Sequence, residues 1–216
     1  MLRLELPAAG RRALRLLCLG AHSDDIEIGC GGTVLRLLEE RSVSVDWIVL
    51  SGTPRRAREA RAGARLFLAG ASRSRVRMAR FRDGFFPGQF VRIKEYFERL
   101  KREVSPDLIL CPWRRDAHQD HRLVAELAWN TFRDHFVLEY EIPKYDGDLG
   151  VPSVFVPLSE ATCRRKIEIL SAAFPSQSNR RWFADETFWA LLRLRGLESS
   201  AAAPYAEAFH CRKVIL

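Results

Sequence analysis

The sequence predicts a three-layer α/β/α domain built on a mostly parallel sheet. Three observations point there: continuous apolar runs of strand length, helix-spaced apolar patterns between them, and polar clusters directly after two of the runs. Uninterrupted apolar strands mark a sheet covered on both faces. Alternation with helices then supplies the crossovers that parallel pairing requires.

Residues 14–19 (LRLLCL), ended by Gly20, read as a buried strand. A polar loop follows, and residues 33–41 carry Val34, Leu35, Leu37 and Leu38 at helical spacing. Residues 43–50 (VSVDWIVL) are β-rich and stop at the turn cluster Ser51-Gly52-Thr53-Pro54. Residues 55–68 read as a helix, 75–81 as a short strand, and 89–104 as a helix broken by Ser105-Pro106. Residues 107–111 (DLILC) are a third strong strand, 121–132 a helix and 137–142 a strand. Beyond Pro143 the pattern weakens to a short strand at 154–156, a helix at 161–172 and irregular segments. No Gly-, Ser- or Pro-rich linker divides the chain and no repeat recurs, so residues 1–216 are expected to form one domain.

A chain of 216 residues can bury a real core, and 47% hydrophobic content excludes a disordered protein. No apolar run reaches the roughly 18 residues of a membrane helix, and arginines interrupt any signal-peptide core near the N-terminus. A cytoplasmic location is therefore expected. Five scattered cysteines without a CxxC pair read as core residues, not as a disulfide frame or thiolate site; Cys18 and Cys111 fall in apparent strands. The net charge of +8 comes mostly from dispersed arginines without a basic tail or RNA-binding signature, so nucleic acid is not an expected partner. The excess reads either as a solvated Arg-rich surface or as attraction for an anionic small molecule.

Three of the five histidines fall in the two polar clusters, Ala21-His22-Ser23-Asp24-Asp25-Ile26-Glu27 and Asp116-Ala117-His118-Gln119-Asp120-His121. Each follows a strand, where ligands gather in open parallel sheets. Imidazole and carboxylate suit Zn²⁺, and a hydrolytic site needs three such ligands plus an open position. The H-x-x-D spacing lets His22 and Asp25 turn inward from one loop, and His121 can close the triad. Asp24, Asp120 and His118 then remain for catalysis or support. Each cluster alone also reads as a turn stabiliser or helix cap. Gly29-Cys30-Gly31-Gly32 does not satisfy a dinucleotide-binding pattern and reads as a segment that lets a helix pack close to the first cluster.

At these residues the chain resembles the PIG-L/LmbE-like deacetylases of the N-acetylglucosaminyl-phosphatidylinositol, mycothiol and bacillithiol pathways. Their A-H-P-D-D-E motif corresponds to residues 21–27 and their H-x-D-H motif to residues 118–121. Weaker likenesses are Arg56-x-x-Glu59, Asp83-Gly84, Ser176-Gln177 and residues 205–209. Ser23 replaces the family proline. Ile26 stands where the family carries glutamate, with Glu27 one place later, which leaves the role of Glu27 open.

The resemblance implies a Rossmann-like, LmbE-type fold and zinc-dependent N-deacetylation of an amino sugar, free or linked to a nucleotide, lipid or glycan. It implies His22, Asp25 and His121 as metal ligands and Asp24 as general base. His118 would be a protonated acid or oxyanion stabiliser oriented by Asp120, and Arg56 and Asp83 would contact sugar hydroxyls. Fe²⁺ or Co²⁺ also suits a His₂Asp set. An anionic substrate and a homo-oligomer are compatible with this reading. Arg56 reads equally as a surface helix residue, residues 140–145 as a pocket border or a plain edge strand, and Trp113 as a sugar-stacking ring or a plug. The competing readings are hydrolysis of another N-acyl amide or an ester, and an inactive binding protein of the same fold.

Overall fold

The strong apolar runs are strands. In the computed structural model, which describes residues 12–215, the strands are β1 (Leu14–Gly20), β2 (Val43–Ser51), β3 (Arg73–Phe81), β4 (Leu108–Pro112), β5 (Phe136–Tyr140), β6 (Val154–Leu158) and β7 (Tyr205–Cys211). The helices are α1 (Asp25–Glu40), α2 (Pro54–Phe67), α3 (Phe90–Glu103), α4 (Gln119–Thr131), α5 (Glu160–Ala173) and α6 (Asp185–Ser199). One sheet has the order β3-β2-β1-β4-β5-β7-β6. The first five strands in that order are parallel, while β7 runs antiparallel to both β5 and β6. Between β1 and β4 the chain switches from one side of the sheet to the other, which opens a crevice beyond their carboxyl ends.

Successive β1 residues sort into two cores, as strand geometry requires. Leu16 and Cys18 pack with Val34, Phe67, Leu170 and Phe188 on the side of α1, α2, α5 and α6. Leu17 and Leu19 pack with Ile93, Phe97, Val124 and Leu127 on the side of α3 and α4. Full burial of each such side chain contributes roughly 1.5–3 kcal/mol, so both layers are held by the same short strands. Cys18, Cys30, Cys111 and Cys163 are buried free thiols and Cys211 is half-buried, in keeping with core cysteines. Among the described residues no helix is long and apolar enough to cross a membrane.

The expected elements differ from the observed ones in two places. Helix α1 begins at Asp25 instead of Thr33, and Gly29-Cys30-Gly31-Gly32 lies inside it. Glycine costs a helix about 1 kcal/mol relative to alanine, which makes this stretch look like a loop. Packing overrides that preference. A Cβ at Gly29 would overlap the Tyr140 ring, one at Gly31 would lie 2.6 Å from Phe67 Cε1, and one at Gly32 2.5 Å from Leu158 Cδ1. The second difference is at the C-terminal end, where α6 and β7 replace the expected irregular segments. Helix α6 lacks a clean apolar stripe, since Leu194 and Leu197 are exposed while Arg195 is buried. Strand β7 carries the buried Glu207, which accepts from the N–H groups of Gly32 (2.8 Å) and Thr33 (2.6 Å) and pairs with buried Lys166 at 2.7 Å. A charge in a strand hides its pattern from sequence, yet here it ties β7 to α1.

Gly29→Ala should destabilise the protein by about 1–3 kcal/mol in urea unfolding, because overpacking exceeds the gain in helix propensity. Tyr140 cannot swing aside, since its fully buried hydroxyl donates to the Leu19 carbonyl at 2.7 Å. The start of β4 is pinned by Asp107, which accepts from Arg15 N at 2.9 Å and from the Arg15 and Arg12 guanidinium groups at 2.9 Å. Hydrogen bonding to Arg15 holds its pKa at about 2, below the unfolded value of about 3.9. The folded carboxylate thus contributes stability above about pH 4 that disappears as pH falls through about 2. Asp107→Asn should lower the melting temperature at pH 7, and the gap from the wild type should close between about pH 4 and 2.

Candidate metal centre

The carboxyl end of β1 turns through Ala21–Asp24 into α1, and that of β4 runs through residues 113–118 into α4. These two turns face each other across the crevice. His22 Nδ1 lies 3.0 Å from His121 Nε2, and Asp25 Oδ2 lies 3.4 Å from the former and 3.3 Å from the latter. A tetrahedral ion with bonds of about 2.0–2.1 Å separates its ligand atoms by about 3.3–3.4 Å. The three donors therefore fit one face of such an ion. His118 brings a further ring nitrogen within 4.8 Å of those of His22 and His121.

Both histidines of the triangle are backed by carboxylates on their other nitrogen. His121 Nδ1 meets Asp116 Oδ2 at 2.9 Å, and His22 Nε2 meets Asp83 Oδ1 at 3.1 Å and Asp120 Oδ2 at 3.4 Å. Such partners set the tautomer and orientation of ligating imidazoles. Asp116 received no role from sequence, although its place in the second polar cluster was a signal. Lys144 Nζ holds it at 2.9 Å, and Lys144 in turn pairs with Asp148 at 2.6 Å. Asp148 also accepts the Ala117 N–H at 2.6 Å, fastening the loop after β5 to the loop after β4.

The expected pairing of the Asp120 carboxylate with His118 is not what the structure holds. Asp120 accepts the N–H groups of Gly84 at 2.7 Å and Phe86 at 3.0 Å, while its own N–H donates to His118 Nδ1 at 3.2 Å. His118 is the N-cap of α4. With Nδ1 accepting, a neutral ring carries its proton on Nε2. Burial, together with the charges of His22 and His121, lowers the His118 pKa.

Asp24 is the N-cap residue of α1. Its Oδ1 accepts from Arg56 Nη2 at 2.7 Å, whereas its buried Oδ2 has no hydrogen-bond partner among the described residues. Burial raises the Asp24 pKa, against the opposing charge of Arg56. Arg56 is positioned by the first turn of α2, whose N-cap Thr53 accepts the Arg56 N–H at 3.3 Å. The two residues expected at sugar hydroxyls thus contact the centre itself, Arg56 through Asp24 and Asp83 through His22. Asp83 remains 68% exposed, which keeps it open to a ligand.

Burial opposes charge throughout the cluster, yet the mutual pairing wins. Asp25 lies well below the usual carboxylate range because of His121 and His22, His22 is held well above its usual value by Asp25 and its other carboxylates, and His121 is raised to about 9 by Asp25 and Asp116. Surroundings that favour protons here favour a cation in their place. Ser23 is buried and reaches the Ser51 carbonyl at 3.4 Å, so a hydroxyl tether to the end of β2 stands where the family proline would restrict φ. Ile26 is a core residue. Glu27 is buried without a hydrogen-bond partner among the described residues, and burial raises its pKa well above the usual value. Trp113 stacks on His210 with ring centroids 4.2 Å apart, and Tyr140 is core; of residues 140–145 it is Lys144 that reaches the centre.

Among solved structures, the conserved protein TT1542 from Thermus thermophilus is 25% identical over 94% of this chain and 96% of its own, with a TM-score of 0.72. N,N'-diacetylchitobiose deacetylase from Pyrococcus horikoshii is 19% identical over 96% and 87%, with a TM-score of 0.72. GalB, the 4-carboxy-2-hydroxymuconate hydratase from Pseudomonas putida KT2440, is 18% identical over 94% and 98%, with a TM-score of 0.67. Residues 17–132, more than half of the chain, match the PIG-L family, described as GlcNAc-PI de-N-acetylase. That segment contains both polar clusters, and the chain belongs to the PIG-L family of LmbE-like deacetylases.

Proposed function

We propose that the protein is a metal-dependent hydrolase that removes the N-acetyl group from an amino sugar or its conjugate, releasing acetate. The observation that carries this reading is the unpartnered, buried Asp24 oxygen beside three donors at ligand spacing. A binding protein needs the donors; it has no use for a buried carboxylate oxygen kept free. The family match and the chitobiose deacetylase neighbour support the reaction class.

In this reading His22, Asp25 and His121 hold the ion, zinc being the first choice and Fe²⁺ or Co²⁺ the alternatives. Bound there, a divalent ion lowers the pKa of a water and polarises an amide carbonyl. Asp24 Oδ2 takes the proton of the attacking water and returns it to the departing amine nitrogen. Arg56 fixes the other Asp24 oxygen, so the free one keeps its aim. His118 offers its Nε2–H to the carbonyl oxygen as negative charge develops there. Asp116 and Asp120 act through the histidines they orient and are positioning residues.

The direct test incubates the protein, with added zinc and after chelation, with N-acetylated sugars and reads free amine and acetate. Amine release that chelation abolishes is expected. No release from any acetylated sugar would overturn the reading. Asp24→Asn should lower kcat by about 10²–10⁴-fold while elemental analysis finds the metal content unchanged. Asp116→Asn should weaken metal affinity about 10–100-fold in chelator competition, with the fold intact by circular dichroism.

A further inference from the structure

Two short motifs of the sequence, Arg56-x-x-Glu59 and Ser176-Gln177, meet in space although Glu59 and Ser176 are 117 positions apart. Arg56 and Glu59 lie on α2 at a spacing that places side chains on one helix face. Ser176 sits in the 3-10 turn Pro175–Gln177 that follows α5. Glu59 is buried, and that turn holds both of its oxygens. Oε1 accepts the Ser176 N–H at 3.1 Å, and Oε2 accepts the Ser176 hydroxyl. Gln177, itself buried, donates to Ser176 Oγ at 3.1 Å and so fixes the hydroxyl in turn. Arg55 adds a 3.5 Å approach to Oε1. The Glu59 carboxylate is therefore immobilised by a segment outside the two polar clusters.

Arg56 stands between that carboxylate and Asp24. Its Nη2 donates to Asp24 Oδ1 at 2.7 Å, while its Nε lies 4.0 Å from Glu59 Oε2. Nε is buried without a hydrogen-bond partner among the described residues, and so is Asp24 Oδ2. Guanidinium groups favour a two-bond fork on a carboxylate, one N–H to each oxygen. With Asp24 as its only acid, Arg56 would close that fork and occupy Oδ2. The charge of Glu59 attracts the Nε side of the guanidinium and opposes the closure. Burial of both atoms leaves that attraction little screened by salt.

We infer that Glu59 is a positioning residue of the hydrolytic centre. Anchored by Ser176, it holds Arg56 to a single Asp24 oxygen and so keeps Asp24 Oδ2 free for the attacking water. The inference rests on the proposed deacetylase reading. Glu59→Gln removes the charge but keeps an acceptor for the Ser176 N–H. In the zinc-loaded variant kcat for an acetylated sugar that the wild type hydrolyses should fall about tenfold or more, with KM within about threefold. The decisive comparison adds Glu59→Gln to an Arg56→Met background, where kcat should change by no more than about twofold, because the two residues act through one contact. A merely structural role would lower kcat by the same factor in both backgrounds. Ser176→Ala leaves the charge and removes one anchor; it should lower kcat about threefold or more, again only when Arg56 is present. It carries the comparison if Glu59→Gln does not fold. A crystal structure of zinc-loaded Glu59→Gln should show Arg56 donating to both Asp24 oxygens. That readout needs no turnover, so it judges the positioning role even if no acetylated sugar is hydrolysed, a result that would count against the deacetylase reading alone. Arg56 remaining on Oδ1 only in the variant, or equal kcat losses with and without Arg56, would overturn the inference.

Discussion

Helix α1 brings Asp24 and Asp25 to the end of β1 because three of its residues lack a side chain. Gly29, Gly31 and Gly32 let its backbone lie against Tyr140, Phe67 and Leu158, with no room for even a methyl group. The helix then starts at the strand end itself, and the His22-to-Asp25 turn is too short to wander: His22 N–H already donates to Asp25 Oδ2 at 2.8 Å. Everything at the centre inherits that placement. Buried Lys166 and Glu207 reinforce it from the other side by bonding the α1 backbone.

The cluster that results would be costly without mutual compensation. Burying an unpaired charge costs several kcal/mol, and Asp24, Asp25, Asp116, Asp120 and His121 are all buried. Asp25, Asp116 and Asp120 direct oxygens at imidazole, ammonium or backbone N–H groups. Asp24 is half-paired, with Arg56 on one oxygen and nothing on the other. Buried polar atoms without a partner call for an explanation, and Asp24 Oδ2 shares that condition with both oxygens of nearby Glu27.

The fold alone does not name a reaction. A deacetylase and a hydratase share it with this chain at similar TM-scores, as expected when chemistry resides in strand-end loops on a common scaffold. The local departures from the family motif are a serine tether where the motif carries proline and an aliphatic Ile26 in the core.

By itself the sequence determined the apolar strands, their alternation with helices and the two polar clusters, because strand burial on both faces and the His/Asp spacing are local patterns. It therefore displayed His22, Asp24, Asp25, His118 and His121 before any coordinates. Tertiary structure decided what depends on contacts between distant segments. The glycines of α1 became helical through the rings and side chains packed on them, and α6 and β7 formed around buried ion pairs that mask amphipathic spacing. Asp120 turned to His22 and two loop N–H groups, and Asp116 emerged as the partner of His121. Hydrogen-bond direction and the order of strands in space have no linear signature, since each depends on which far-off group arrives at the same place.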